Sequence, residues 1–185
     1  MHLTRLLLSV LALALAFVSL GSFPAEQQDL DLQMLEDLAE GRDLGKYVPF
    51  LEGEVKKSEE LFGPDSRMTA MSLSTLAIVY RMQKNFEAAE RAHLRAIAIR
   101  EKAPDRIGLG LRQELDGLAE TYIAGGKLME AEKTYVRALR IAEKYPPDGS
   151  GAYMELSNLA LVYVRQRKFS EAEPLLKRAL AIKQE

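Results

Sequence analysis

The stretch LALVYVRQRKFSEAEPLLKRALAI, from Leu159 to Ile182, decides the fold. It reads as two amphipathic helices with almost no loop between them, because apolar residues recur at helical spacing on both sides of a short polar run. The chain has said nearly the same thing twice before, as LAIVYRMQKNFEAAERAHLRAIAI from Leu76 and as LAETYIAGGKLMEAEKTYVRALRI from Leu118. A fixed period of this kind, with each unit too small to bury its own apolar face, is the signature of a solenoid of stacked helical hairpins.

Aligning the three copies places Leu76, Leu118 and Leu159 in one column, with separations of 42 and 41 residues. Ala77, Ala119 and Ala160 follow them, and Tyr80, Tyr122 and Tyr163 lie one helical turn further on. Phe86, Leu128 and Phe169 open the second helix of each unit. Three more columns run through it: Ala89, Ala131 and Ala172; Glu90, Glu132 and Glu173; Ala96, Ala138 and Ala179. Leu73, Leu76 and Tyr80 make an apolar stripe, and the alanine beside each leucine lets a neighbouring helix approach closely. The connections KN, GGK and RK are short enough to require antiparallel hairpins. Gly125 and Gly126 suit the positive torsions at a helix end. Ser170 with Glu173 has the spacing of a capping box, and Pro174 is tolerable because it lies near the helix start. GPDS at 63–66, AP at 103–104 and PPDGSG at 146–151 separate the units. The middle linker is shorter, so its following helix is expected to be longer, and Gly117 interrupts it.

The pattern resembles the tetratricopeptide repeat, especially the 42-residue form found in kinesin light chains, on the strength of EELFGPDSRMTAMSLSTLAIVY, EAEPLLKRALAI and the Leu-Ala-x-x-Tyr cores. The resemblance covers roughly residues 54 to 185 and implies an all-α, right-handed solenoid of antiparallel helix hairpins. Upstream, Met34 and Leu44 keep the register loosely, while Leu38 and Glu54 break the tyrosine and alanine columns. Residues 32–65 are therefore expected to be a degenerate capping repeat and 66–185 three full repeats, with 22–31 a polar tether.

By the same resemblance, the first helices line a concave groove, and residues two before and two after each core leucine face it. These are Ser74, Ile78, Asp116, Glu120, Ser157 and Leu161. The outer turns of the same faces add Met71, Arg81, Met82, Gln113, Ile123, Met154, Val164 and Arg165. Kinesin light chains carry asparagine at the first of these places, where it holds a peptide backbone. Ser74, Asp116 and Ser157 depart from that, so a shared ligand does not follow. The mixture suits a peptide or helix, with Met and aliphatic side chains giving adaptable contact. The bland alternative is that Met71, Ile78, Met154 and Leu161 merely pack on adjoining first helices.

Composition narrows the partners. With 25 Lys and Arg against 27 Asp and Glu, the net charge of -2 gives no global attraction to nucleic acid or acidic lipid. There is no cysteine, hence no disulfide, thiolate metal site or cysteine nucleophile. The first 21 residues carry one cation, Arg5, and an apolar run from Leu6 to Leu20, the layout of a secretory signal peptide. Ser19 and Gly21 favour cleavage after Gly21 over Ala25. An uncleaved anchor is the competing reading, and both place the remainder outside the cytoplasm, in the periplasm or beyond the cell.

Glu90 and His93 have the Glu-x-x-His spacing of a di-iron ligand pair, yet Glu90 belongs to a repeat column and His93 matches Tyr135 and Leu176. A packed histidine is the better account, and neither a metal nor a cofactor is expected. Arg165, Arg167 and Lys168 form a basic cluster that a helix carboxyl end explains as cheaply as an acidic partner. Leu175, Leu176, Leu180 and Ile182 make an apolar stripe on the last helix, which suggests either self-association or a fraying end. No nucleophile, base and acid stand together to support catalysis. The expectation is a non-catalytic adaptor that binds a protein or peptide in its groove, with a homo-oligomeric structural element as the alternative.

Overall fold

The computed structural model describes residues 33–34, 36–37, 40, 42–102, 108–144 and 150–184. The segments expected to be a leader and a tether, and residues 103–107 and 145–149, lie outside them. Among the described residues there are α-helices, one short 3-10 turn and no strand. After the turn Gly45–Tyr47 come α1 (Val48–Phe62), α2 (Arg67–Met82), α3 (Phe86–Lys102), α4 (Leu109–Ala124), α5 (Leu128–Lys144), α6 (Ser150–Arg165) and α7 (Phe169–Gln184). Each helix packs on the next, and α2 also touches α4. The chain is thus a row of hairpins, α2–α3, α4–α5 and α6–α7, with α1 leading. None of the described helices is long and apolar enough to cross a membrane.

The column residues form the core. Ala77, Ala119 and Ala160 are fully buried, as are Ala89, Ala96, Ala131 and Ala138, and Leu76, Leu118 and Leu159 fill the space these small residues leave. Upstream, Met34 and Leu44 are buried in the same core as Leu76, so the loose register of the first unit is used in packing. Asp37 is buried beside them, receiving hydrogen bonds from Tyr47 Oη and Lys46 Nζ at 2.6 Å each. Lys46 foremost, then Tyr47, holds its carboxyl well below the usual range.

The three hairpin turns share one backbone solution. Residues 83–85, 125–127 and 166–168 return hydrogen bonds to the last turn of the helix, with Asn85 N, Lys127 N and Lys168 N donating to Tyr80 O, Tyr122 O and Tyr163 O. The middle residue of each turn has positive φ: Lys84 at 61°, Gly126 at 78° and Arg167 at 62°. Only Gly126 therefore uses a glycine's freedom, since Gly125 sits at -82°; the other two turns accept about 1–2 kcal/mol for a side chain there. The capping box is not formed. Ser170 is already inside α7 and donates to Glu171 at 2.7 Å, while Glu173 pairs with Lys177. The second linker does not lengthen its helix either, because α4 has the same 16 residues as α2 and α6 and starts after Gly108, whose φ of 65° stops any earlier start.

Two ladders of ion pairs join successive hairpins. Glu59 with Arg95, Glu101 with Arg137 and Glu143 with Arg178 repeat one bond between second helices. Glu90 with Lys127 at 2.7 Å and Glu132 with Lys168 at 2.8 Å repeat another, each lysine lying over the tyrosine of its own hairpin. Such pairs contribute well under 1 kcal/mol each at the surface, and their recurrence fixes how far one hairpin slides on the next. The basic cluster of the last turn thus loses Lys168 to Glu132, leaving Arg165 and Arg167 exposed.

Candidate functional site

The first helices α2, α4 and α6 carry the residues assigned to the groove, and the structure treats the three helices differently. On α2, Met71 and Ile78 are half-buried, and Ser74 and Arg81 reach across to α4. Ser74 Oγ lies 2.6 Å from both carboxylate oxygens of Glu114, and Arg81 meets Glu120 at 3.0 Å. Met82 is exposed at the far end of the helix, lining a depression with Gln83 and with Arg42, Asp43 and Leu44 of the leading segment. On α4, Gln113 is exposed, Asp116 and Glu120 are half-buried, and Ile123 packs against the core of the last hairpins. On α6, Met154, Leu161 and Val164 present an exposed apolar face with Arg165 beyond it, while the half-buried Ser157 donates to Tyr153 O of its own helix. The apolar part of the candidate groove is therefore open on α6 and tied down on α2.

Behind this face lies a buried polar seam that the repeat columns did not announce. Glu114 is enclosed by Ser74 from α2 and by His93 and Arg100 from α3, with His93 Nδ1 at 3.5 Å and Arg100 Nε at 3.7 Å. His93, 2% exposed, fills a hollow in α4: a Cβ on Gly117 would stand 2.4 Å from its Cε1. The interruption of that helix is thus a slot for the imidazole, and His93 is a packed side chain. Among the described residues no group of three or more His, Cys, Asp or Glu is placed to hold a metal.

One hairpin further on, Arg112 Nε donates to Glu155 Oε1 at 2.8 Å, both groups being buried. Glu155 Oε2 and Asp116 Oδ1 are buried without a hydrogen-bond partner. Burial pushes the Asp116 carboxyl up to about 8, with Glu155 and Glu120 adding to the rise and Arg112 opposing it. Burial raises Glu155 as well, against Arg112. A signal for this seam existed. Glu114 and Glu155 stand four residues before their core leucines, on the stripe that faces inward, and Ser72 occupies the same column and bonds Ser58 of α1 at 2.8 Å.

On the last helix the apolar stripe divides. Leu175 and Ile182 pack into the core, and only Leu176 and Leu180 are exposed. Their columns explain what is unusual there: Tyr135 and Leu139 of the preceding hairpin are 2% and 9% exposed, against 47% for Leu176 and 55% for Leu180.

Antiparallel hairpins stacked in register, with small residues at every helix contact, define an α-solenoid. The sequence profile of the tetratricopeptide repeat matches residues 50–102 and 112–185, and the chain belongs to that family. The fold is that of kinesin light chain-like arrays. The crystal structure of BtubC (BKLC) from P. vanneervenii is similar with a TM-score of 0.72 at 21% identity, covering 90% of this chain and 67% of that one. A putative kinesin light chain of Podosopora anserina with nearly identical TPR-like repeats gives 0.69 at 20% identity, covering 97% and 87%. A variant of that same protein gives 0.70 at 20% identity, with coverages of 97% and 86%. No protein with a curated description matches the chain. Tetratricopeptide repeats serve in general as protein-interaction scaffolds that bind proteins or peptides, and the fold is typically non-catalytic.

Proposed function

We propose that this chain is a non-catalytic scaffold, exported from the cytoplasm, that holds a peptide or helix of a partner protein along the first-helix face of α2, α4 and α6. The observation that carries the reading is the exposed row of Met154, Leu161 and Val164 on α6, which together with the polar groups of α4 offers an extended ligand both apolar contact and orientation. The export part rests on the apolar run Leu6 to Leu20 behind Arg5. Photo-crosslinking from Met154 or Leu161 in cells should capture one recurrent protein that Arg91 and Arg140, on the second helices, do not, and Leu161→Asp should abolish the capture. Equal capture from both faces would defeat the groove. Export is checked by fractionation and by the amino terminus of the purified protein, which should begin at Ser22 if the leader is cut; a cytoplasmic protein keeping Met1 would refute it.

A second reading is favoured by the exposure of Leu176 and Leu180 where Tyr135 and Leu139 are covered: self-association through α7. Light scattering at high concentration should then report a dimer that Leu180→Glu dissociates. A monomer throughout would remove it.

A further inference from the structure

The junction of α4 with α6 is short of one positive charge. Asp116 and Glu155 bring two carboxylates to it, and Arg112 brings one guanidinium. That guanidinium has a partner already, Glu155 Oε1 at 2.8 Å, and Glu120 at the edge is held by Arg81 of α2 at 3.0 Å. Asp116 is left over. Its Oδ1 is buried without a hydrogen-bond partner, and the Oε2 of Glu155, a residue only 1% exposed, is likewise unpartnered and close enough to disfavour the Asp116 charge. From α5, the buried Tyr135 faces the same carboxylates and adds no positive charge. A carboxylate in this state is relieved in one of two ways, by taking up a proton or by receiving a cation. Asp116 is half-buried rather than enclosed, and Glu120 beside it keeps part of its side chain in solvent, so the site opens onto the groove face.

We infer that Asp116 is the socket for a lysine or arginine side chain of the bound partner, with Glu120 at its rim. The inference rests on the first-helix face being the binding surface, and it makes the partner's anchor basic. An acidic anchor would meet the surplus negative charge, and a wholly apolar one would cover Asp116 without supplying the cation its carboxylate lacks. Because the cation requires the ionised carboxylate, its arrival releases the proton that Asp116 otherwise holds. Binding therefore strengthens with pH, by up to about tenfold per pH unit below about 8, and levels off above that value.

The test is selection of 12-residue peptides from a phage-displayed random library on the full chain, with Leu161→Asp as the control for the groove. Selected peptides should share a lysine or arginine at one position. Asp116→Asn should weaken them tenfold or more, flatten the pH dependence, and make the parent peptide and its norleucine replacement bind alike. Thermal unfolding of Asp116→Asn confirms that the variant is folded. Peptides that depend on Leu161 yet show no basic position, or whose affinity ignores both Asp116→Asn and pH, would overturn this inference and leave the scaffold standing. Peptides indifferent to Leu161→Asp would remove the groove reading, and the socket with it.

Discussion

At the junction of α2 with α4, each carboxylate has a cation beside it: Glu114 sits among Ser74, His93 and Arg100, and Arg81 holds Glu120, although Nε of Arg81 and of Arg100 and both ring nitrogens of His93 are buried without a hydrogen bond. At the junction of α4 with α6, Arg112 contacts Glu155 and acts on Asp116 only at longer range, leaving Asp116 Oδ1 without a hydrogen bond. The repeat pattern is the same at both places, but α2 touches α4 directly while α4 and α6 meet less closely, and the charges differ too. Two neighbouring contacts of one repeat design have thus become a structural joint and an unfilled acceptor. One repeat design and non-uniform chemistry coexist because the alanine columns hold the hairpins together while the inward column four residues earlier is free to vary.

The comparison is sharpest under substitution. Glu114→Ala should cost about 3–5 kcal/mol in urea unfolding, since it leaves Arg100 and Ser74 facing a closed interior with no carboxylate. At the other junction, removing a charge should help. The native state keeps a proton on Asp116 up to about pH 8, whereas the unfolded chain releases it near the ordinary 3.8. The folded form thus binds more protons across that interval, and stability falls as pH rises through it and is level beyond. This loss is at most about 6 kcal/mol, and Asp116→Asn should remove most of it; a pH profile identical in the two proteins would erase the contrast between the junctions. Gly117→Ala should destabilise by about 1–2 kcal/mol, the overpacking against His93 exceeding the helix preference for alanine, and the same change in a His93→Ala background should stabilise by about 1 kcal/mol. Smallest is Arg137→Ala on the outer ladder, which should cost under 1 kcal/mol and vanish at high salt.

The hairpins, their order and the short turns were legible because a leucine, an alanine and a tyrosine return at fixed intervals, a recurrence that stacked helical hairpins require. The conformation inside the turns was not, because Lys84 and Arg167 occupy the left-handed position that glycine advertises only at Gly126. The capping box failed for a geometric reason: Phe169 is already helical, so Ser170 stands two places too late to cap. The final stripe was half right, since periodicity gave the apolar residues but not that Leu175 and Ile182 turn inward. The residues assigned to the candidate groove lie on the first helices α2, α4 and α6, as their spacing from the core leucines requires. The sequence did not show that Ser74 and Arg81 are engaged with α4, because their partners Glu114 and Glu120 lie about 40 residues away and pair only once the hairpins are stacked.

The notch at Gly117 bears on how freely such a chain could be rearranged. Arrays of this kind invite shuffling, as if each unit were an interchangeable brick. Here one brick carries a peg, the imidazole of His93, and the next carries a hole cut to admit it. Tandem copies of the second unit would drive Tyr135 at a recess shaped for a smaller ring, and copies of the first would bring the peg against Thr75, which has a side chain where Gly117 has none. Residue identity at a single pair thereby dictates which module follows which.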